Sequence, residues 1–413
     1  MRAARLTAVL LSLPTALVGL VGLGGLGACI GDGSDVETSV DQAEVLGGTN
    51  APAGKWPDVV AVRSGSQQFC TGTLIAPTVA ITAGHCNDGS LDNILIGTSS
   101  LARASEGEVI SVIKKVEYEN SFRAADLTVL VLAQPSRFTP RPIATGWARF
   151  DIKNGAQVAL VGFGAIDRDG NKFVNELQEA TTTITDADCT ASAGCNASVK
   201  PGGELGAGGM GIDTCGGDSG GPLYLLTDYG TFLAGATSRG YDDNEFYCSE
   251  GGIYGRPDKF IDWIEASAGV PVARGPEPTG EVITAVRGFA GETSIVHNDP
   301  RSQSHSYTIK TPPMYGTAKV RDDGRVRVCT DGGVAGGDTM VVTVTDKADA
   351  TRAVDVKLSI LIEQGDPGSD CDVDAFGSDS DGGGCCDAGR SAGGALPLGL
   401  GVLAVVLRRR RRR

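Results

Sequence analysis

Three residues far apart in the chain could together activate a nucleophile. The 413-residue sequence holds three histidines, His85, His297 and His305. A serine hydroxyl becomes a useful nucleophile when a base with a pKa near 7 takes its proton, and imidazole is the usual base. His85 sits in Ala80-Ile81-Thr82-Ala83-Gly84-His85-Cys86, whereas His297 and His305 fall in a later segment. Ser219 lies in Asp213-Thr214-Cys215-Gly216-Gly217-Asp218-Ser219-Gly220-Gly221-Pro222. Glycine there permits backbone dihedrals closed to other residues and lets main-chain N–H groups converge where an oxyanion could sit. Asp126 opens the apolar run Leu127-Thr128-Val129-Leu130. A carboxylate entering a core is costly without a partner, and an imidazole would be one whose tautomer the carboxylate fixes. Such a trio supports nucleophilic attack on a carbonyl. Each piece alone has a structural reading: a histidine beside a cysteine, a Gly-rich turn, a capped strand.

The elements that must position these residues read as β-structure. Short apolar or alternating runs bounded by Gly, Asn, Asp and Pro include Val59–Val62, Thr73–Ile75, Ala80–Thr82, Val109–Ile113, Leu127–Leu132, Val158–Val161, Leu223–Leu226 and Phe232–Gly235. Many short strands at regular spacing predict an all-β sandwich or barrel. One amphipathic patch, Lys259–Glu265, reads as a helix closing near Gly269. Residues 270–281, with Pro271, Pro276 and Pro278, read as a linker. Residues 282–363 form a second β-rich segment of the right size for one small β-sandwich. Its strands are expected at His305–Ile309, Ala318–Val320, Arg325–Val328, Met340–Val344 and Val354–Ile360. Residues 364–391 are rich in Asp, Gly and Ser and too polar to build a core.

The ends look like processing segments. Arg2 and Arg5 precede an apolar run from Leu6, which reads as a secretion leader over 1–28. Leu26-Gly27-Ala28-Cys29 resembles a bacterial lipoprotein signal with Cys29 as the lipidated residue; ordinary cleavage nearby is the alternative. Residues 29–44 read as a propeptide. Export would allow the 11 cysteines to form disulfides. No Cys-x-x-Cys pair has a matching second half, so neither a metal nor a cofactor is called for. At the far end, residues 392–413 carry an apolar run shorter than the ~20 residues of a spanning helix. Arg408–Arg413 follow it and would stay on the cytoplasmic side of a membrane. The net charge is −14, and without Arg2, Arg5 and that terminal block 28 basic residues face 50 acidic ones. This balance excludes nucleic acid as an expected partner.

Taken in order, the three motifs resemble those of trypsin-type serine proteases over residues 45–269. Residues 82–86 are similar to the family's Thr-Ala-Ala-His-Cys, with Gly84 in place of an alanine. Asp126–Leu130 resembles its Asp-Ile-Ala-Leu-Leu strand, and Cys215–Pro222 its Gly-Asp-Ser-Gly-Gly-Pro box. Val45-Leu46-Gly47-Gly48 stands at the expected start. The resemblance implies two packed six-stranded β-barrels with His85, Asp126 and Ser219 as a catalytic triad in the cleft between them. It implies an oxyanion hole from the N–H groups of Gly217 and Ser219, with Ser238 supporting Asp126. Asp213 would floor the primary specificity pocket and select Arg or Lys, while Gly240 and Gly252 keep its walls small. Arg239 departs from the family, which has an aromatic or bulky apolar residue there; the departure points toward acidic substrate residues.

The resemblance also implies activation by a cut after Glu44, which frees Val45 to pair with Asp218. Glu44 is not Arg or Lys, so a separate activating protease is expected. The implied disulfides are Cys70–Cys86, Cys189–Cys195 and Cys215–Cys248; Cys329, Cys371, Cys385 and Cys386 stay unassigned. Residues 282–363 are similar to bacterial cadherin-like or Ig-like modules in Thr311–Ala318 and Val342–Asp346, read as a spacer or a surface-binding unit. Gly384-Cys385-Cys386, the apolar run and the Arg block resemble MYXO-CTERM sorting tails, implying sorting machinery as a partner and surface display or release; a plain tail anchor is the alternative. The expectation is thus a secreted or surface-displayed endopeptidase acting on protein and peptide substrates. The rival reading is an inactive protease-fold binding or adhesion protein.

Overall fold

A computed structural model describes residues 45–118, 125–196, 199, 202–330, 335–365 and 371–377. The expected leader, propeptide, Cys29, Cys385, Cys386 and C-terminal tail lie outside the described residues. No helix among the described residues is long and apolar enough to cross a membrane.

A short strand β1 (Thr49–Asn50) precedes six strands: β2 (Val59–Ser64), β3 (Gln67–Ala76), β4 (Val79–Thr82), β5 (Asn93–Ile96), β6 (Glu108–Glu117) and β7 (Thr128–Leu132). They close into a barrel in the order β2-β3-β4-β7-β6-β5. Its interior is filled by Val60, Leu74, Ile94, Ile96, Ile110 and Leu130. Closure leaves no unpaired strand edge. A second ring follows: β8 (Gln157–Gly162), β9 (Gln178–Asp186), β10 (Glu204–Ala207), β11 (Pro222–Thr227), β12 (Gly230–Gly240) and β13 (Gly252–Gly255). It runs β9-β10-β13-β12-β11-β8 and closes through a β8–β9 pairing, with β1 added on β9. A core including Ile75, Ile81, Val129, Val161 and Tyr224 joins the barrels. The helix α1 spans Ile261–Ala268 and ends where Gly269 takes φ 74° and its N–H bonds the Glu265 carbonyl, the left-handed stop that glycine adopts without steric cost.

The second segment builds two further sheets from β14 (Ile283–Val286), β15 (Ala290–Ser294), β16 (His305–Thr311), β17 (Thr317–Val320), β18 (Arg325–Cys329), β19 (Gly336–Asp346) and β20 (Ala353–Glu363). The sheets are β14-β20-β19-β16 and β15-β18-β17. In β20, Val354, Val356, Leu358, Ile360 and Ile362 are buried and the residues between them face outward. That period of two is what a one-faced core demands.

Two features differ from a loose linker-and-spacer arrangement. The proline-rich stretch is hydrogen-bonded to the body before it: the Ala273 N–H bonds Ile75 O, Ile143 N–H bonds Ala273 O, and Trp147 N–H bonds Pro276 O. Trp147, which lies between the barrels in sequence, is fully buried in the core of the second segment with Val328, Val342 and Ile360, and its indole N–H donates to His297 O at 2.6 Å. The stretch after β20 also returns. Cys371 bonds Cys329, and Arg325 reaches Gly377 O at 2.8 Å. Local polarity gave no sign of this, because the bonds are made by β17, β18 and the disulfide rather than by a core.

Candidate active site

His85 sits on a single 3-10 turn, Gly84–Cys86, directly after β4. The Cys70–Cys86 disulfide ties this turn to β3. Asp126 is buried just before β7. Its Oδ1 accepts the His85 main-chain N–H at 2.9 Å, and its Oδ2 lies 2.8 Å from His85 Nδ1. Ser238 Oγ donates to Oδ2 at 2.7 Å. Burial pushes the Asp126 carboxyl upward, but the hydrogen bonds and charge of His85, with the Ser238 bond, outweigh it and hold it below the usual range. An ionised carboxylate only accepts, so Nδ1 carries a ring proton. Gly84 has a local reason: a Cβ there would stand 2.9 Å from Asp126 Oδ1.

Ser219 lies on the turn before β11. Its carbonyl accepts the Thr71 N–H at 2.9 Å, and Gly220 N–H bonds Thr237 O at 2.7 Å. Gly220 has φ 77°, and a Cβ there would collide with Thr82 and the Ala83 nitrogen; only glycine fits. Gly217 has φ 96°. The N–H groups of Gly217 and Ser219 have no acceptor among the described residues. His85 and Ser219 line one cavity of about 220 Å³, together with Thr214, Ser238, Arg239 and Gly240. The carboxylate–imidazole bond is thus formed, while imidazole and hydroxyl meet as walls of a shared cavity.

Asp213 is buried and is not among the residues that line this cavity. Its carboxylate accepts the N–H groups of Thr214 at 2.8 Å, Ser249 at 2.9 Å and Gly251 at 3.1 Å. Burial pushes its pKa up to about 6, against those hydrogen bonds. Gly240 lines the cavity, whereas Gly252 is the residue paired with Gly240 across the β12–β13 ladder. Asp218 is wholly buried, with Gly164 N–H at 2.7 Å and Cys215 N–H at 2.9 Å as its carboxylate partners. Burial pushes its pKa up to about 7. Val45 is buried, and Leu46 O accepts the Asp213 N–H at 3.1 Å. Cys189–Cys195 and Cys215–Cys248 are bonded. Among the described residues two clusters have metal-ligand spacing, Cys70/His85/Cys86 and Asp186/Cys189/Cys195, but their sulfurs are in disulfides and are not thiolates.

Two closed barrels with a carboxylate-bound histidine and a glycine-flanked serine on one cavity define a class. The trypsin family model matches residues 45–264, and the chain belongs to that family. Among curated relatives, Serine protease 56 of Homo sapiens is 30% identical over 246 residues, 56% of this chain and 40% of that protein; the Mus musculus protein of the same name is 31% identical over 58% of this chain and 41% of its own length. The chain therefore spans about two fifths of these relatives. Glucanase inhibitor protein 1 of Phytophthora sojae is 30% identical over 55% of this chain and 90% of that protein. A solved structure described as neuropsin, a serine protease expressed in the limbic system of mouse brain, is 24% identical over 53% of this chain and 97% of its own, with a TM-score of 0.45.

Proposed function

We propose that the chain is an exported serine endopeptidase with His85, Asp126 and Ser219 as its triad. The observation that carries the reading is the His85 Nδ1–Asp126 bond beside a cavity that His85 and Ser219 share. Ser219 attacks the scissile carbonyl, His85 takes its proton through Nε2 and returns it to the leaving amine, and Asp126 steadies the imidazolium. The N–H groups of Gly217 and Ser219 receive the developing oxyanion. Asp213, ionised above about pH 6, favours an Arg or Lys side chain over an apolar one. A cut after Glu44 by another protease releases the Val45 ammonium to neutralise Asp218. The second β-segment and the C-terminal tail serve display at the cell surface or release from it.

The rival reading is a protease-fold binding protein, favoured by the relative whose name is that of an inhibitor. Paired peptide reporters ending in Arg and in Phe, offered to a chain beginning at Val45, separate the readings. Hydrolysis of the Arg reporter supports the proposal, hydrolysis of the Phe reporter alone overturns its specificity, and no hydrolysis of either favours the binding protein.

A further inference from the structure

We propose that Arg239 is a positioning residue for the Asp126–His85 pair, acting through Ser238, and that Glu204 sets the charge it presents. The inference deepens the hydrolase reading and rests on it.

The Ser238 hydroxyl has one proton to give. It gives it to Asp126 Oδ2 at 2.7 Å. Arg239 Nη1 donates to the Ser238 Oγ at 2.9 Å. A hydroxyl that receives an Arg hydrogen bond on a lone pair has its rotor fixed, so its O–H stays aimed at the carboxylate. Arg239 is itself held on both sides. Nη1 also donates to Glu204 Oε1 at 2.8 Å, and Nη2 to Glu204 Oε2 at 3.2 Å and to Gly194 O at 2.7 Å. This uses the guanidinium as a planar fork, which an ammonium cannot reproduce. Glu204 is anchored in turn by the Asn196 N–H at 2.8 Å.

Glu204 is buried, at 2% side-chain exposure, and Arg239 is half-buried, at 16%. A buried ion pair is poor evidence for stability, since apolar residues of similar volume often serve as well. Here it adjoins the serine that touches the triad carboxylate, and Arg239 also lines the substrate cavity. A continuous series of bonds therefore runs from Glu204 through Arg239, Ser238 and Asp126 to His85. The charged and titratable groups facing it are His85 and Asp126 from the first barrel, Glu204 on β10, Tyr247 on the cavity wall, and Asp242 beside Gly194.

The charges make opposite demands on His85. Removing the Arg239 cation lets the imidazolium form more readily; removing the Glu204 anion does the reverse. The test follows the ring titration of His85 by NMR in the full chain carrying Ser219→Ala, so that no turnover is needed. Arg239→Met is expected to raise the midpoint by about 0.5 pH unit and Glu204→Gln to lower it by a similar amount. Arg239→Lys should restore the midpoint. In the Ser219 chain, Arg239→Met should lower kcat about ten-fold, and in a Ser238→Ala background it should lower kcat no further. Glu204→Gln keeps shape and volume, so its shift stands even if Arg239→Met does not fold. Midpoints that stay fixed, or that move the same way in both variants, overturn the inference. Because the titration reads the ring and not turnover, its failure is separate from a failure of the hydrolase reading.

Discussion

Freeing the N-terminus at Val45 should stabilise the chain in a strongly pH-dependent way. In the uncut chain Asp218 is wholly buried, with two main-chain N–H groups and no cation bonded to its carboxylate among the described residues. Its pKa rises from 3.8 to about 7. A carboxyl whose folded pKa is raised contributes its full stability below the unfolded value and loses it as pH climbs through the folded one. A shift of about three pK units at 1.36 kcal/mol each makes that loss about 4 kcal/mol between pH 4 and pH 8. An ammonium released beside Asp218 would remove the loss, less the cost of its own desolvation. Val45 is already buried, and its φ of 34° is strained for a β-branched residue, a strain that the cut relieves. Calorimetry on two Ser219→Ala chains, one full length and one beginning at Val45, should give nearly equal Tm at pH 4. At pH 8 the shorter chain should lead by several degrees, with a ceiling of about 16 °C at up to 4 °C per kcal/mol. Asp218→Asn should abolish the difference. An equal gap at both pH values would refute the reasoning.

Further outcomes follow from other sites. Asp213 titrates at about 6, so the preference for an Arg over a Phe reporter should rise as pH passes from 5 to 7 and vanish in Asp213→Ser, read as the ratio of kcat/KM values. Trp147→Ala empties the place of a fully buried indole in the second core and should cost about 3–5 kcal/mol, seen in urea unfolding as earlier loss of the β14–β20 sheets. Replacing Cys329 and Cys371 by serine opens a link of sequence separation 42; chain entropy puts its worth at about 4 kcal/mol, and unchanged thermal unfolding of that double variant would contradict it.

What was legible in the sequence was local. The histidine turn, the Asp-led strand and the glycine-flanked serine each lie within ten residues, apolar runs announce β7 and β11, and alternation announces β20. Threonine-rich β9, Gln178–Asp186, has no apolar run to mark it, because pairing with β8 and β10 rather than side-chain alternation defines it. The helix patch was expected at Lys259–Glu265, but the α-helical turns run from Ile261 to Ala268, since residues 257–259 form a separate 3-10 turn. The features that escaped depend on partners remote in sequence: Trp147 in a core some 150 residues away, Glu204 against Arg239, and Cys329 with Cys371. Arg239 does stand out in the sequence as an unusual residue, one whose place points toward substrate. It lines the cavity, yet its guanidinium is turned onto Glu204, Gly194 and Ser238, because a buried carboxylate holds it there.

The most direct measurement is the rate at which the chain beginning at Val45 hydrolyses an Arg-ended peptide reporter, with and without Ser219→Ala. The account expects turnover in the first and a fall of about 10⁶-fold in kcat in the second. Turnover that survives the substitution, or a Ser219 chain that folds but hydrolyses nothing, would contradict it.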